Sequence, residues 1–333
     1  MTNPPNPPNP TILIDLLPDL RRDLFGPARM ARLAEFGDVF APDRRLVAER
    51  RLEYDIVVTG WGSARFPDRL QPENRLRMIA HSAGTIRKVV PRTLLTDGVR
   101  VSQAASGMAV SVAELALYMT LSLMRNLAQV DRRMQRGDWA GASGFGLGRA
   151  IAGTRIGVIG ASRVGRAYIE HLTGMGAEVV VTDPYLTRRD AEEMGVQLCD
   201  LDELLRSCAV VALHAPVTDE TRGMLTAQRL ALIPDGGILV NTARSAVLDS
   251  GALLSELRSG RLSAALDVYD VEPLPADDPL WTLPNVLLTP HIGALTTHSR
   301  AMQGDVVVDE IDRFVAGAPL VFEVTNLTYD RLA

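Results

Sequence analysis

The chain has 333 residues, of which 47% are hydrophobic and 23% are charged, and its formal net charge is −5. This length predicts two domains rather than one core. The acidic balance offers no basic field for a nucleic acid backbone or an anionic membrane surface, so we expect neither partner. The only cysteines, Cys199 and Cys208, lack the spacing of metal ligands, and we expect no metal site.

The N-terminal segment and the most apolar later segment both predict a protein that neither enters nor crosses a membrane. The first ten residues, MTNPPNPPNP, lack the apolar stretch of a signal peptide and predict an extended, mobile lead-in. The most apolar later stretch, AVSVAELALYMTLSLM, is short for a membrane span and contains Glu114. We interpret it as a buried helix between two domains, and we expect a cytoplasmic protein.

From Thr11 onward, short apolar runs alternate with amphipathic segments, which is the pattern of parallel βα units. Strands are predicted in TILIDLL, DIVVTG and LRMIAHSAG, and helices over 27–35 and 42–52. A long helix over 110–136 and a glycine-rich loop, GDWAGASGFGLG, come next. Six further strands are then predicted, in RIGVIG, AEVVVTD, AVVALHA, GGILVNTA, LSAALDV and VLLTPH, before a last helix over 298–317. Six strands with helical connections predict an α/β fold with a doubly wound nucleotide-binding sheet.

The segment RIGVIGASRVGRAYIEHL reads as a strand, a tight turn and a helix. Gly160, Ser162 and Gly165 stand at the three glycine positions of a dinucleotide fingerprint, so the match is imperfect at the second position. The helix that begins at Arg163 and Val164 would offer N–H groups and a positive dipole end to a pyrophosphate. A serine hydroxyl could itself bond a phosphate. The alternative is an ordinary tight βα turn.

Asp183 strengthens the cofactor interpretation because it ends the next strand, 18 residues after Gly165. A carboxylate there can accept hydrogen bonds from both ribose hydroxyls and would repel a 2′-phosphate. The sequence therefore favours NAD over NADP, although Arg188 and Arg189 follow closely. The alternative for Asp183 is a strand-end residue that caps a turn.

Three polar residues late in the chain each follow an apolar run: Arg244 in NTARSAVLD, Glu272 in LDVYDVEPLP and His291 in LLTPHIGA. Ligand-facing loops gather at the strand ends of an open α/β sheet. An arginine, a carboxylate and a histidine that converge there could bind a carboxylate substrate and move a proton. Taken singly, each of them is more often a surface or loop residue.

The chain resembles the D-isomer-specific 2-hydroxyacid dehydrogenases from about residue 99 to residue 294. The resemblance rests on the order and spacing of eight segments rather than on any one of them. Ser245 departs from it, standing where a glycine often follows the family arginine. The matching segments are VAELAL, RGDW, VIGASRVGR, VTDPY, LHAPVTDETRGML, NTARSAVLD, ALDVYDVEPLP and PLWTLPNVLLTPHIGA.

The resemblance implies a role for each member of the polar set. Arg244 would hold the substrate carboxylate with a bidentate grip. His291 would act as general acid and base, and Glu272 would orient its ring and favour the protonated form. Asp267 would bind the nicotinamide carboxamide. The cofactor would also be lined by Thr242, Ala243, His214, Gly293 and Ala294, and backbone N–H groups of Ala83 and Gly84 in HSAGT would bind the carboxylate.

The resemblance also implies an arrangement of domains. A Rossmann NAD-binding domain, residues 107–296, would be inserted into a flavodoxin-like substrate-binding (catalytic) domain, residues 1–106 and 297–333. It further implies a homodimer, with contacts from the helix that starts at Val110 and the loop around Trp139. The predicted function is an oxidoreductase, a 2-oxoacid reductase that interconverts a D-2-hydroxy acid and a 2-oxo acid with NAD.

Alternatives of other classes remain. The chain could be a non-catalytic NAD(H)-sensing interaction protein, since the same fold serves as a dinucleotide-responsive module. It could also be a related dehydrogenase for another small anion. Formate is disfavoured because that type of site would carry glutamine at Glu272, whereas phosphite also needs a cationic clamp. A methyltransferase with a similar glycine loop would explain neither Glu272 nor His291.

Overall fold

The chain divides into two units in a computed structural model that describes residues 9–47, 49–84 and 86–331. Unit 1 comprises Met1–Met108 with Leu295–Ala333, and unit 2 comprises Ala109–Ala294. The predicted lead-in falls mainly on residues 1–8, and Thr85 closes the HSAGT segment; both lie outside the described residues. The sequence predicts a substrate-binding domain of residues 1–106 and 297–333 and an NAD-binding domain of residues 107–296. These limits stay a prediction.

Unit 1 is built on a five-stranded parallel sheet in the order β2-β1-β3-β4-β5, which is the flavodoxin-like order. Alternate residues of each strand face opposite sides, so Ile12 and Ile14 pack into one apolar layer and Leu13 into the other. Its strands are β1 Thr11–Ile14, β2 Asp38–Phe40, β3 Ile56–Thr59, β4 Met78–His81 and β5 Arg100–Gln103. Its helices are α1 Pro18–Leu24, α2 Pro27–Phe36, α3 Arg92–Thr96 and, from the end of the chain, α12 Thr297–Val315.

Unit 2 has a seven-stranded parallel sheet in the order β12-β11-β10-β9-β6-β7-β8. The helices α4 and α7 cover one face, and α9, α10 and α11 cover the other. Its strands are β6 Arg155–Ile159, β7 Glu178–Thr182, β8 Gln197–Leu198, β9 Val210–Leu213, β10 Gly237–Asn241, β11 Leu262–Leu266 and β12 Val286–Leu288. Its helices are α4 Ala109–Met124, α5 Leu127–Met134, α6 Trp139–Ser143, α7 Arg163–Gly174, α8 Arg188–Glu193, α9 Leu201–Ser207, α10 Ala227–Leu230 and α11 Ser250–Arg258.

The sheets confirm the predicted fold class, a Rossmann domain and a flavodoxin-like domain, and every strand predicted from an apolar run is present. Three strands escaped the sequence pattern. The strands β2 and β8 are very short, and β5 carries the polar residues Arg100, Ser102 and Gln103. Hydrophobic runs indicate buried central strands, so a prediction based on them overlooks short or polar edge strands.

The helix predicted over 42–52 is wrong. Among the described residues of that range, the structure has a 3₁₀ turn at Glu49–Glu53 and no α-helix. Arg51 within that turn is fully buried, and its guanidinium lies 3.4 Å from the carboxylate of Asp15. It also donates to the carbonyls of Ala64 and Arg65 at 3.0 and 3.2 Å. A buried cation that donates to carbonyl oxygens of another loop ties this segment to the fold in an irregular path.

The long helix predicted over 110–136 is also wrong in one respect, because the structure interrupts it. Asn126 has φ 52°, in the left-handed region, and separates α4 from α5. Asparagine adopts this conformation more readily than most residues. Within the predicted glycine-rich loop, α6 forms a single turn, which begins where the Asp138 side chain accepts a hydrogen bond from Gly141 N–H.

One stretch among the described residues, Ala105–Met124, is long and apolar enough to cross a membrane by length and composition alone. Half of its most apolar window is buried inside the structure. Its α4 portion packs against α7 and the strands β10 and β11. Core helices of this kind pass the same length test, so the stretch is weak evidence for a membrane span.

Candidate active site

The predicted site residues of unit 2 follow the carboxyl ends of six adjacent parallel strands. In spatial order across the sheet, the ends of β12, β11, β10, β9, β6 and β7 lead into the loops of His291, Asp267 with Glu272, Thr242 to Arg244, His214, Gly160 and Asp183. The chain reverses its direction of sheet growth between β6 and β9. Ligands of open α/β sheets bind at this kind of switch point.

The phosphate loop has the glycines that its geometry requires. Gly160 has φ +95°, and a Cβ there would lie 2.7 Å from Ala215 N. A Cβ on Gly165 would overlap the carbonyl oxygen of Gly160, so the helix α7 can pack this close to the strand only with glycine. Ser162 has φ −66°, which any L-residue adopts. Serine is therefore tolerated at the second fingerprint position.

The hydroxyl of Ser162 is already engaged. It donates to the carbonyl of His214 at 3.1 Å, across the switch point. The expectation that this hydroxyl bonds a phosphate stays a prediction, in which the hydroxyl would exchange the carbonyl of His214 for the phosphate. The start of α7, at Arg163 and Val164, still directs the positive end of a twelve-residue helix at the loop.

Asp183 has a structural task as well as its predicted one. One carboxylate oxygen accepts from Ala161 N–H at 2.7 Å, and the other accepts from Tyr185 N–H at 2.8 Å. These bonds fix the carboxylate beside the phosphate loop. Each carboxylate oxygen has a further lone pair, so the same fixed group can accept from ribose hydroxyls.

Two buried polar side chains near the switch point, His214 and Thr242, lack hydrogen-bond partners among the described residues. The atoms concerned are both ring nitrogens of His214 and the hydroxyl of Thr242. Burial lowers the pKa of His214 to about 3, so its ring is neutral at physiological pH. Unsatisfied buried polar groups are rare in native structures and call for a partner. Both residues were predicted to line the cofactor, and their free polar atoms fit a dinucleotide that bears amide, hydroxyl and phosphate groups.

Asp267 holds the loop that carries His291. It is buried, and its carboxylate accepts from the Thr289 hydroxyl at 2.6 Å and from the N–H groups of Ile292 and Gly293 at 2.8 and 2.9 Å. Three donors from both sides of His291 therefore converge on one carboxylate. No pattern in the sequence reveals this anchoring role, and the expected contact of Asp267 with the nicotinamide carboxamide stays a prediction.

His291 and Glu272 form a direct pair. The ring nitrogen Nδ1 of His291 lies 2.8 Å from Oε2 of Glu272, and the two side chains are 29% and 38% exposed. An ionised carboxylate can only accept, so Nδ1 carries the proton of this bond. Both side chains are exposed enough to exchange protons with solvent.

The pKa of Glu272 is lower than that of an ordinary glutamate. Burial by itself would raise it, but hydrogen bonds from the His291 ring and from Tyr269 N–H, together with the charges of His291 and Arg244, outweigh that effect. Glu272 is consequently ionised at neutral pH.

Arg244 lies at the carboxyl end of β10 with its guanidinium half-buried. Its Nη1 donates to the carbonyl of Ala243 at 2.6 Å. Burial lowers the pKa of Arg244, and the negative charge of Glu272 opposes that shift. A guanidinium remains protonated in proteins. Bringing an anionic carboxylate to a partly desolvated guanidinium is favourable, because it replaces some of the lost hydration.

Asn241 shapes the turn that presents Arg244, and it was missed from the sequence. Its side-chain amide donates to the carbonyl of Arg244 at 3.0 Å, and its oxygen accepts from Ala243 N–H at the same distance. It is 1% exposed, at the end of a fully buried strand. An asparagine that ends an apolar run is the signal that could have revealed this turn.

In unit 1, the predicted substrate loop follows β4. Ala83 is buried, and the preceding residue, Ser82, receives a bond at its carbonyl from the buried side chain of Gln303 at 2.8 Å. The hydroxyl of Ser82 donates to the carbonyl of Thr59. A Cβ at Gly84 would lie 3.0 Å from the Met108 methyl, so a side chain there would require that flexible methionine to shift slightly. The loop is thus held from two sides within its own unit.

No group of three or more potential metal-ligating side chains occurs in the part of the chain that the structure describes. The polar side chains that the structure does bring to the strand ends of unit 2 are those of Arg244, Glu272 and His291. The cofactor fits the donor set: a helix start for the pyrophosphate, Asp183 for the ribose, and polar atoms at His214 and Thr242 that have no other partner in the described chain.

Comparison with known proteins agrees with this geometry. Residues 117–293 match the family model described as "D-isomer specific 2-hydroxyacid dehydrogenase, NAD binding domain". The chain is 31% identical over 288 residues to D-3-phosphoglycerate dehydrogenase of Methanocaldococcus jannaschii. The matched region covers 85% of this chain and 54% of that protein. It is 29% identical to glyoxylate reductase of Korarchaeum cryptofilum, over 84% of this chain and 85% of that one.

A solved structure gives the same result. The protein TP0037 from Treponema pallidum, described as a D-lactate dehydrogenase, superposes with a TM-score of 0.78 at 26% identity, covering 95% of this chain and 99% of that one. The chain spans about half the length of the D-3-phosphoglycerate dehydrogenases that it matches. The predicted Rossmann fold and NAD cofactor are confirmed by these matches.

Proposed function

The chain belongs to the D-isomer-specific 2-hydroxyacid dehydrogenase family, and from that premise we propose that it reduces a small 2-oxo acid to the D-2-hydroxy acid. The observation that carries the proposal is the 2.8 Å bond between His291 Nδ1 and Glu272, on strand-end loops next to that of Arg244. In our proposal unit 1 supplies the substrate loop at Ala83 and Gly84. The cytoplasm is the proposed compartment.

The bound cofactor supplies the hydride, and the residues of the chain bind the substrate and manage the proton. Arg244 grips the carboxylate through two parallel N–H bonds and draws charge from the adjacent 2-oxo group. His291 gives the proton on Nε2 to the carbonyl oxygen as the carbon accepts hydride. Glu272 keeps the ring oriented and balances its positive charge. One 2-oxo acid, one NADH and one proton yield one hydroxy acid and one NAD⁺.

An assay of NADH oxidation with glyoxylate, hydroxypyruvate, pyruvate and phenylpyruvate tests the proposal. D-3-phosphoglycerate with NAD⁺ is added as an oxidation arm, because several relatives carry that name. Turnover of at least one of these acids is the expected result. Absence of turnover with all of them, while NADH still binds, would favour the NAD(H)-sensing alternative. Phosphite with NAD⁺ is added as a second oxidation arm, and turnover of phosphite alone would favour the other small-anion alternative.

Asp183 gives a prediction about cofactor choice. Asp183→Asn keeps the size of the side chain but removes the charge that would repel a 2′-phosphate. With two charges a few ångströms apart at an effective dielectric near 20, we expect the preference for NADH over NADPH to fall about 10- to 100-fold. The measurement is kcat/KM with each cofactor. An unchanged ratio would remove Asp183 from the ribose site.

We also propose a homodimer, with the segment 109–149 in the contact. This segment exposes large apolar side chains, including Trp139 at 72% and Leu147 at full exposure, besides Leu127 and Met134. Clustered apolar exposure of this kind marks interaction sites. Light scattering should give twice the mass of the 36.1 kDa chain, and Trp139→Lys should shift the protein toward monomer. A monomeric wild-type protein at micromolar concentration would rule the dimer out.

A further inference from the structure

We propose that Tyr269 is a positioning residue, whose phenol hydroxyl holds the His291–Glu272 pair in its reactive geometry. The inference rests on the proposed function, because the pair that Tyr269 positions is the one assigned to proton transfer. Tyr269 stands three residues before Glu272 in chain order and follows the end of β11. Neither its place in the sequence nor the fold by itself assigns it a role.

Tyr269 contacts Glu272 directly and is linked to His291 through the carbonyl of Thr289. Its backbone N–H donates to Oε1 of Glu272 at 3.0 Å, while Oε2 of the same carboxylate binds His291. Its hydroxyl lies 2.8 Å from the carbonyl oxygen of Thr289, and that oxygen also accepts from His291 N–H at 3.1 Å. These bonds close a ring that runs from Tyr269 through Glu272, His291 and Thr289 back to Tyr269.

The same hydroxyl also ties two strand ends together. It lies 2.9 Å from the carbonyl oxygen of Leu266, the last residue of β11, and Thr289 directly follows β12. The single phenol proton is shared between the two carbonyls. Burial, and secondarily the charge of Asp267, raises the pKa of the phenol, so it stays a donor. The loops of Glu272 and His291 are thereby bonded through one side chain.

His291 needs such a restraint because its backbone has φ 55°, in the left-handed region that non-glycine residues avoid. Asp267 fixes the flanking residues Thr289 and Ile292. The hydroxyl of Tyr269 donates to the carbonyl of Thr289, which also accepts a hydrogen bond from the His291 N–H. A conformation of this cost persists only where surrounding contacts determine it.

Tyr269 packs against the apolar core of unit 2 and also lines a cavity. The cavity has a volume of about 270 Å³, and Leu248, Leu254 and Leu274 line it as well. A residue that lines a cavity has fewer packing contacts on that side. In the proposal, the hydrogen bonds of the hydroxyl add to this packing, and a phenylalanine at this position would release the Thr289 carbonyl.

The test is Tyr269→Phe, compared with Tyr54→Phe, which removes a tyrosine hydroxyl from unit 1, away from the site and from the proposed dimer contact. Loss of one hydrogen bond of ordinary strength predicts a kcat about three- to ten-fold lower. The KM for the 2-oxo acid and the Kd for NADH should stay within twofold. The control should match wild type. A kcat within twofold of wild type in Tyr269→Phe would overturn the proposal, as would an equal loss of NADH binding and thermal stability, which would show a merely structural role.

A second readout does not depend on turnover. In protein labelled with ¹⁵N-histidine, the Nδ1 proton of His291, assigned from its absence in His291→Ala, reports the bond to Glu272. In Tyr269→Phe we expect this proton to exchange faster with water and to move toward the position of a weaker hydrogen bond. An unchanged signal would overturn the proposal. An inactive wild-type protein would defeat the proposed function, whereas this signal still decides the role of Tyr269.

If Tyr269→Phe does not fold, 3-fluorotyrosine at position 269 keeps the shape of the ring and strengthens the hydroxyl as a donor. The Nδ1 proton of His291 should then shift in the direction opposite to that of a weakened bond. No shift with this residue would overturn the proposal.

Discussion

His291→Ala should lower kcat for 2-oxo acid reduction about 10²- to 10⁴-fold, the range that a positioned general acid contributes. The variant lacks the imidazole that delivers a proton to the carbonyl oxygen, and Glu272 loses its partner at 2.8 Å. The Kd for NADH should stay within a few-fold of wild type, because the phosphate loop and Asp183 are untouched. Steady-state kinetics and fluorescence titration of NADH measure the two quantities.

The matched control is His298→Ala, since His298 is exposed at the start of α12 and has no role in the proposed chemistry. It should keep wild-type kcat. Turnover of His291→Ala at the wild-type rate would show that another group supplies the proton. A joint collapse of kcat and NADH binding would mean that the variant disrupts the loop rather than removing an acid.

Arg244→Ala should lower kcat/KM for the 2-oxo acid about 10³-fold, because it removes two charge-assisted bonds of about 1.5–3 kcal/mol each, part of which water replaces. Arg244→Lys should fall between this variant and wild type, since an ammonium restores the charge but not the planar fork. The measurement is kcat/KM across the substrate panel, together with the NADH Kd, which should change little.

The control for Arg244 is Arg258→Ala, an exposed arginine at the end of α11 in the same unit. Added guanidinium should restore part of the activity of Arg244→Ala by entering the vacated space. If Arg244→Lys equals wild type, the bidentate grip is wrong and only the charge matters. If Arg244→Ala also equals wild type, the carboxylate is bound elsewhere.

Much of the fold could be predicted because the strands that build the two sheet centres are buried on both faces. Such strands appear in the sequence as uninterrupted apolar runs, as in GVIG, which ends at Gly160, and ILVN before Thr242. The residues directly after each run then lie at the sheet edge. Arg244, Glu272 and His291 were found in this way, and the contact between Glu272 and His291 agrees with that placement.

The predicted helix over 42–52 failed because a residue in that segment bonds to distant partners. The buried guanidinium of Arg51 bonds to Asp15 and to the carbonyls of Ala64 and Arg65, which no local helical pattern could anticipate. The bond from the Ser162 hydroxyl to the carbonyl of His214, 52 residues away, is likewise absent from the sequence pattern, and the phosphate role of Ser162 stays a prediction. Long-range polar contacts leave no periodic trace in the sequence.

The sequence by itself determined which side chains reach the carboxyl edge of the nucleotide-binding sheet, since strand identity depends on local apolar runs and a parallel sheet places all strand ends together. Only the tertiary structure decided how those side chains are held. The ring of bonds through Tyr269, the turn at Asn241 and the anchoring carboxylate of Asp267 all appear only once the loops are folded. These hydrogen bonds of about 3 Å join residues that are neighbours in space. Which residues become neighbours in space depends on the order of the strands in the sheet and not on their separation along the chain.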